Sequence, residues 1–122
     1  MANPIIHWEL MVEDVAKARA FYGKVFDWRF EENNPQGYTM IDTGTAPGGG
    51  LMARPPTAPA AALNTYFRVD DINRTLAVVV ESGGTVIVPK TEIPGIGWFA
   101  MFVDPDRIPI AIFVERAALS AP

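Results

Sequence analysis

His7 and Glu9 are the two side chains of this sequence best suited to chemistry. They lie two residues apart, so in a β-strand both project from the same face. An imidazole and a carboxylate on one face can bind a ligand, act as general base and acid, or contribute to a metal site. Each also has a structural interpretation: His7 bonded to a neighbouring group, and Glu9 paired with a basic side chain such as Arg68.

Composition narrows the possible chemistry. The chain has no cysteine, which excludes disulfides, thiolate metal sites and a cysteine nucleophile, and fits a cytoplasmic protein. Its 10 basic and 14 acidic residues give a net charge of −4 without a basic cluster, so nucleic acid is not an expected partner. No secretory signal is recognisable, and no apolar run approaches the roughly 18 residues of a membrane span. We expect a soluble protein whose partner is a small molecule.

A strand at residues 4–12 is predicted to position both candidate residues. One face is apolar and suits contact with a helix: Trp8, Leu10 and Val12. The other face is mixed: His7, Glu9 and Met11. Asp14 follows as the predicted N-cap of a helix that ends near Asp27. Further strands are predicted at 28–32, 38–43 and 51–54, with a turn at 33–37.

The pattern then repeats with a shift of 57 residues, from Val12 to Val69. Residues 12–15 match residues 69–72, each with a strand before and a helix after, and Asp71 takes the cap position of Asp14. The same shift aligns three further pairs: His7 with Asn64, Glu9 with Tyr66, and Met11 with Arg68. The second helix is predicted to end at Ser82-Gly83-Gly84, with strands at 63–69, 85–89, 98–103 and 108–115 and a loose tail from Ala117.

The repeat predicts an α+β fold in a single domain spanning residues 1–122. Two βαβββ modules, at about 4–54 and 63–115, are joined by a proline-rich linker at 55–62. Their curved mixed sheets are predicted to surround a central cavity, with the helices on the outer faces. The inner faces are too polar for a closed core and too mixed for plain solvent, which is typical of a small-molecule site.

Three motifs extend this interpretation: His7-x-x-Leu10-x-Val12-x-Asp14, then Ala20-Phe21-Tyr22, then Asp104-Pro105-Asp106 before the last strand. With them the chain resembles the vicinal-oxygen-chelate superfamily, which includes glyoxalase I, extradiol dioxygenases and bleomycin-resistance proteins. Residues 48–52 and 89–99 are similar to an uncharacterised glyoxalase-related subgroup. The resemblance covers essentially the whole chain and implies paired βαβββ modules, but not one particular reaction.

The resemblance also locates where metal ligands would lie. Metal-dependent members place one ligand on the first and one on the last strand of each module. In this chain those positions are His7, Asn64, Ala111 and one residue among Gly50–Met52. Only His7 is a good ligand for a divalent metal, so the resemblance implies no metal and no cofactor. It therefore argues against the metal-dependent glyoxalase and dioxygenase reactions.

Two hypotheses about function follow. The first is a binding protein like the bleomycin-resistance members, which holds a small organic molecule without metal. Its predicted ligand contacts are His7, Glu9, Met52, Asn64, Tyr66, Trp98 and Phe113. The alternative is an enzyme: a lyase or isomerase that uses Glu9 and His7 as acid and base, or a metal enzyme with ligands outside the family pattern. A homodimer is expected because open sheet edges need to be covered.

Overall fold

The computed structural model describes residues 2–32 and 38–116. Within these ranges lie two helices, α1 (Val15–Phe26) and α2 (Ile72–Glu81). The strands are β1 (Ile5–Val12), β2 (Arg29–Glu31), β3 (Thr39–Asp42), β4 (Gly49–Ala53), β5 (Ala62–Arg68), β6 (Thr85–Ile93), β7 (Gly97–Val103) and β8 (Pro109–Glu115). The predicted turn at 33–37 and the tail from Ala117 lie outside the described residues. None of the described helices is long and apolar enough to cross a bilayer.

The predicted fold class is confirmed. The elements follow the order βαβββ twice, and each set contributes one helix and four strands that pair in both parallel and antiparallel directions. The chain divides into two compact units. The first unit is Ile6–Thr65. The second unit combines the N-terminal residues through Ile5 with the residues from Tyr66 onward.

In the first unit the strands are ordered β2-β3-β4-β1. β1 runs parallel to β4, whereas β3 is antiparallel to both of its neighbours. The predicted alternation of β1 is confirmed, because its apolar residues pack on the cluster that α1 and the sheet share: Ala18, Ile41 and Leu51 with Trp8, Leu10 and Val12. Asp14 caps α1 as predicted, with its Oδ1 accepting from the Lys17 amide at 3.1 Å.

In the second unit the order is β5-β8-β7-β6, with β5 parallel to β8 and the other pairs antiparallel. α2 covers one face through a buried cluster: Val69, Ile72, Leu76, Ala100, Ile112 and Val114. Asp71 caps α2 by accepting from the Arg74 amide at 3.1 Å, as predicted. β6 extends to Ile93 rather than Pro89, because it is an edge strand whose register shifts accommodate the proline.

Candidate functional site

His7 is hydrogen-bonded to Tyr38, a residue that the motifs did not single out. The Nε2 atom of His7 lies 2.7 Å from the Tyr38 hydroxyl, and the two ring centroids are 6.2 Å apart. His7 belongs to β1, whereas Tyr38 immediately precedes β3, so the sheet brings together residues 31 positions apart. Depending on the imidazole tautomer, either the hydroxyl donates to Nε2 or Nε2–H donates to the phenol oxygen.

The imidazole of His7 is biased toward its neutral form. Burial lowers the pKa of His7 below its ordinary value of 6.5, since desolvation disfavours the imidazolium cation. Near neutral pH the ring therefore offers one donor and one acceptor nitrogen rather than two donors. Such a group can bind a ligand by hydrogen bonding or accept a proton from it.

Gly50 makes room for the Tyr38 ring. A Cβ atom at position 50 would overlap the Tyr38 hydroxyl and the adjoining ring carbons. The neighbouring Gly49 makes room on the opposite face, where an added Cβ would lie 2.6 Å from atoms of the Trp8 ring. The lack of side chains at these two glycines therefore leaves space for two aromatic rings, Trp8 on one face of β4 and Tyr38 on the other.

Glu9 is buried beside this pair, with 7% of its surface exposed. The strand registers place Glu9 opposite Gly50 and Gly50 opposite Met40, while Met11 lies opposite Met52 in the next row. We call these residues the His7 face, and it lies opposite α1: His7, Glu9, Met11, Tyr38, Met40, Gly50 and Met52. It combines a buried carboxylate and a histidine–tyrosine pair with flexible thioether side chains that adapt to varied ligands.

The second unit has a different surface on the side of its sheet away from α2. The strand registers and alternation group one set of side chains there: Tyr66, Arg68, Phe99, Met101 and Phe113. Arg68, considered from the sequence as a partner for Glu9, donates to the carboxylate of Glu115 at 2.5 Å. This surface is aromatic, and its Arg68–Glu115 ion pair lies at the strand ends.

Trp98 does not join Tyr66 and Phe113 on that surface. It packs against the α2 cluster, with the Arg116 guanidinium carbon 4.5 Å and the Lys90 amine 5.5 Å from its ring centroid. Phe99, the next residue, lies opposite Phe113 instead. The sequence analysis grouped Trp98 with Tyr66 and Phe113, whereas the pairing of β7 with β8 puts Phe99 beside Phe113 and Trp98 beside Val114.

The strand registers bear on the fourth ligand position that the resemblance implies. Glu9 pairs with Gly50, and Tyr66 pairs with Ala111. Because the repeat aligns Glu9 with Tyr66, Gly50 corresponds to Ala111, and the earlier range Gly50–Met52 narrows to Gly50. Neither glycine nor alanine has a side-chain donor atom, and the Asn64 amide is a poor ligand for a divalent metal.

The donor set therefore does not fit a divalent metal. His7 is the good ligand among the four positions, and its Nε2 is already bonded to the Tyr38 hydroxyl. Across residues 2–32 and 38–116, no three histidine, aspartate or glutamate side chains come together as a metal-ligating group.

A separate depression of about 440 Å³ lies along β3 and the loop that follows it. It is open to solvent, and its lining includes Glu31, Met40, Asp42 and Thr45. Met40 is shared with the His7 face, but the histidine, the tyrosine and Glu9 are not part of the lining. We place the candidate site at the His7 face because that face holds the histidine, the tyrosine and the buried carboxylate of Glu9.

The chain belongs to the glyoxalase/bleomycin resistance protein/dioxygenase superfamily, whose family model matches residues 5–112. A protein of Mycobacterium bovis named "Putative glyoxylase CFP32" is 28% identical over 120 residues, which cover 93% of this chain and 46% of that protein. The chain thus spans about half the length of the curated relatives that it matches first.

Two solved structures share the fold at low identity. A superfamily member from Vibrio splendidus has a TM-score of 0.65 and 14% identity, with 93% of this chain and 100% of that chain covered. Methylmalonyl-CoA epimerase from Mycobacterium tuberculosis has a TM-score of 0.66 and 14% identity, with 97% and 91% covered. At such identities the likeness shows the fold alone.

Proposed function

We propose that this chain binds a small organic molecule at the His7 face without using a metal. The observation that carries the proposal is the hydrogen bond between His7 and Tyr38 above Gly50, with the buried Glu9 beside it. A few oriented polar groups among apolar side chains are typical of small-molecule sites. The polar groups would orient the ligand, and the methionines would adapt to its apolar part.

The donor set supports the metal-free form of the proposal. In a metal-dependent relative, carboxylate and imidazole ligands would hold the ion and the ion would hold the ligand. Here Gly50 and Ala111 offer no ligand atom, and His7 is bonded to a phenol. The side chains would hold the ligand directly, which is the binding mode expected from the bleomycin-resistance resemblance.

Further candidate contacts are part of the same proposal. Met52 on β4 and the buried amide of Asn64 on β5 are candidates, with Asn64 only 4% exposed. Tyr66 and Phe113 are candidates on the surface of the second unit. We leave Trp98 out, since its ring packs on the α2 cluster.

A lyase or isomerase is the second candidate function. The specific observation in its favour is a buried carboxylate and a neutral imidazole two residues apart on one strand face, Glu9 and His7. One group would accept a proton from the ligand, and the other, protonated by transfer from the first group or from solvent, would donate a proton back to it. Incorporation of deuterium from heavy water into the bound compound would support the enzyme, whereas unchanged ligand after long incubation supports binding alone.

The proposal is tested on the protein as purified. Native mass spectrometry should show a small organic molecule bound to the folded chain, and elemental analysis after dialysis should show no stoichiometric nickel, zinc, iron or manganese. About one metal ion per chain, retained through dialysis and required for ligand binding, would contradict the metal-free form. A chain that binds neither a metal nor any organic molecule would contradict the whole proposal.

The proposal extends to a homodimer in the cytoplasm. Three apolar side chains at the end of α1 are more than half exposed: Phe21, Val25 and Phe26. Covering such residues with a second copy removes apolar surface from water. A light-scattering mass equal to that of a single 13.3 kDa chain would argue against the dimer. The cytoplasmic location rests on the lack of cysteine in the sequence.

A further inference from the structure

Tyr38 occupies the space that any side chain at position 50 would need. Its hydroxyl and ring carbons overlap the site of a Cβ atom on Gly50, and its hydroxyl is bonded to His7. Position 50 corresponds to a metal-ligand position of the superfamily. In this chain a phenol therefore stands beside the histidine where a coordinating side chain would otherwise lie.

The pair has a defined chemical preference. A neutral imidazole bonded to a phenol presents hydrogen-bonding groups without a formal positive charge. Neither group supplies the fixed cation that usually binds a carboxylate or a phosphate. The pair therefore favours a neutral polar group on the ligand over an anionic one.

We propose that Tyr38 is a specificity-determining ligand contact, which together with His7 recognises a neutral carbonyl or hydroxyl oxygen of the bound molecule. Gly50 is the residue that permits it, because any larger side chain would displace the phenol. The inference rests on the proposed function and deepens it by naming the ligand class. It assigns a role to Tyr38, a residue outside the superfamily motifs found in the sequence.

The test compares methyl ketones with carboxylates of the same skeleton: acetophenone with benzoate, and cyclohexyl methyl ketone with cyclohexanecarboxylate. Affinities for the full chain are measured by ligand-observed NMR and calorimetry. Each ketone should bind more tightly than its carboxylate. Tyr38→Phe keeps the ring over Gly50 and removes the hydroxyl, so it should weaken ketone binding by about tenfold, the effect of one lost hydrogen bond.

Tyr22→Phe is the matched control. Tyr22 lies in the same unit, with its ring stacked at 5.3 Å on Trp28 on the α1 side, away from the His7 face. Loss of its hydroxyl should leave ketone affinity unchanged. A second pair of variants tests the space next to Gly50. Gly50→Ala should displace Tyr38 and abolish the ketone preference. Gly49→Ala should disturb Trp8 on the opposite face, and the folded variant should keep the preference.

The outcomes separate this inference from the proposed function. If ketones bind and Tyr38→Phe binds them as well as the wild type does, Tyr38 is not a ligand contact and the inference fails, while the proposed function stands. Tighter binding of the carboxylates would overturn the ligand class. If neither probe binds the wild type and no native ligand is found, the proposed function itself is wrong. The His7 ring-nitrogen shifts, which should change in Tyr38→Phe without any ligand, verify that the pair exists in solution.

Discussion

The two modules share one framework and differ in what they display on it. Each has a capping aspartate, a helix on one sheet face, and a first strand paired in parallel with its last strand. On the opposite face, the paired positions are Glu9 with Gly50 in the first module and Tyr66 with Ala111 in the second. The sheet face that packs on the helix specifies the fold in both modules. The opposite face carries polar groups in the first module and an aromatic surface in the second.

Small residues at equivalent strand positions have different effects in the two modules. Gly50 accommodates the end of a side chain, the Tyr38 phenol, rather than backbone atoms. Ala111 is completely buried in the sheet of the second module. We therefore expect substitution of Gly50 to affect the proposed site and substitution of Ala111 to affect packing.

The largest expected effect is on the free energy of unfolding, and it distinguishes Gly97 of the second module from Gly50 of the first. A Cβ on Gly97 would overlap the Val114 carbonyl oxygen and lie 3.1 Å from the Arg116 amide nitrogen. Backbone atoms paired in a sheet cannot rotate away, so Gly97→Ala should lower the free energy of unfolding by about 3 kcal/mol. Gly50→Ala meets a side chain instead and should cost about 1 kcal/mol. Urea unfolding of both variants checks this, and a greater loss for Gly50→Ala would reverse our assignment of the two glycines.

The next effect concerns the two carboxylates. Glu9→Gln keeps the shape and removes the charge of a buried group on the His7 face, so it should change ketone or native-ligand affinity by about tenfold with little change in stability. The control is Glu115→Gln in the second module, where the side chain is 43% exposed and bonded to Arg68. Exposed ion pairs contribute at most about 1 kcal/mol, so this variant should alter neither property much. If Glu9→Gln leaves binding of the native ligand untouched, the residue is structural.

The smallest expected effect is a dependence of stability on pH that arises at His7. Because the folded pKa lies below the ordinary 6.5, the folded state favours the neutral imidazole. Its contribution to stability is complete above pH 6.5 and is lost as the pH falls through the lowered folded pKa. His7→Gln should remove this part of the pH dependence. The wild-type titration is simple to follow by NMR because the chain has a single histidine, and a folded pKa above 6.5 would contradict the prediction.

Local patterns were enough to predict the framework but not the centre of the site. The alternation around Leu10, the aspartate caps and the 57-residue repeat specify strands, helices and the helix-facing sides, because each depends on neighbouring residues. The Tyr38 contact depends on the order β3-β4-β1, which joins residues 31 positions apart. Its one signal in the sequence was that Gly50–Met52 offered no good ligand for the position that the resemblance implies, and this lack does not identify the residue whose ring lies there.

The central claim is that His7 hydrogen-bonds to Tyr38 and to an organic ligand and does not coordinate a metal ion. The most direct measurement follows the ring-nitrogen resonances of His7 in chelator-treated protein, first with added zinc or nickel and then separately with acetophenone. We predict that the ketone shifts these resonances saturably, while one equivalent of metal leaves them in place. Stoichiometric shifts on adding metal, with no response to the ketone in its absence, would contradict the account.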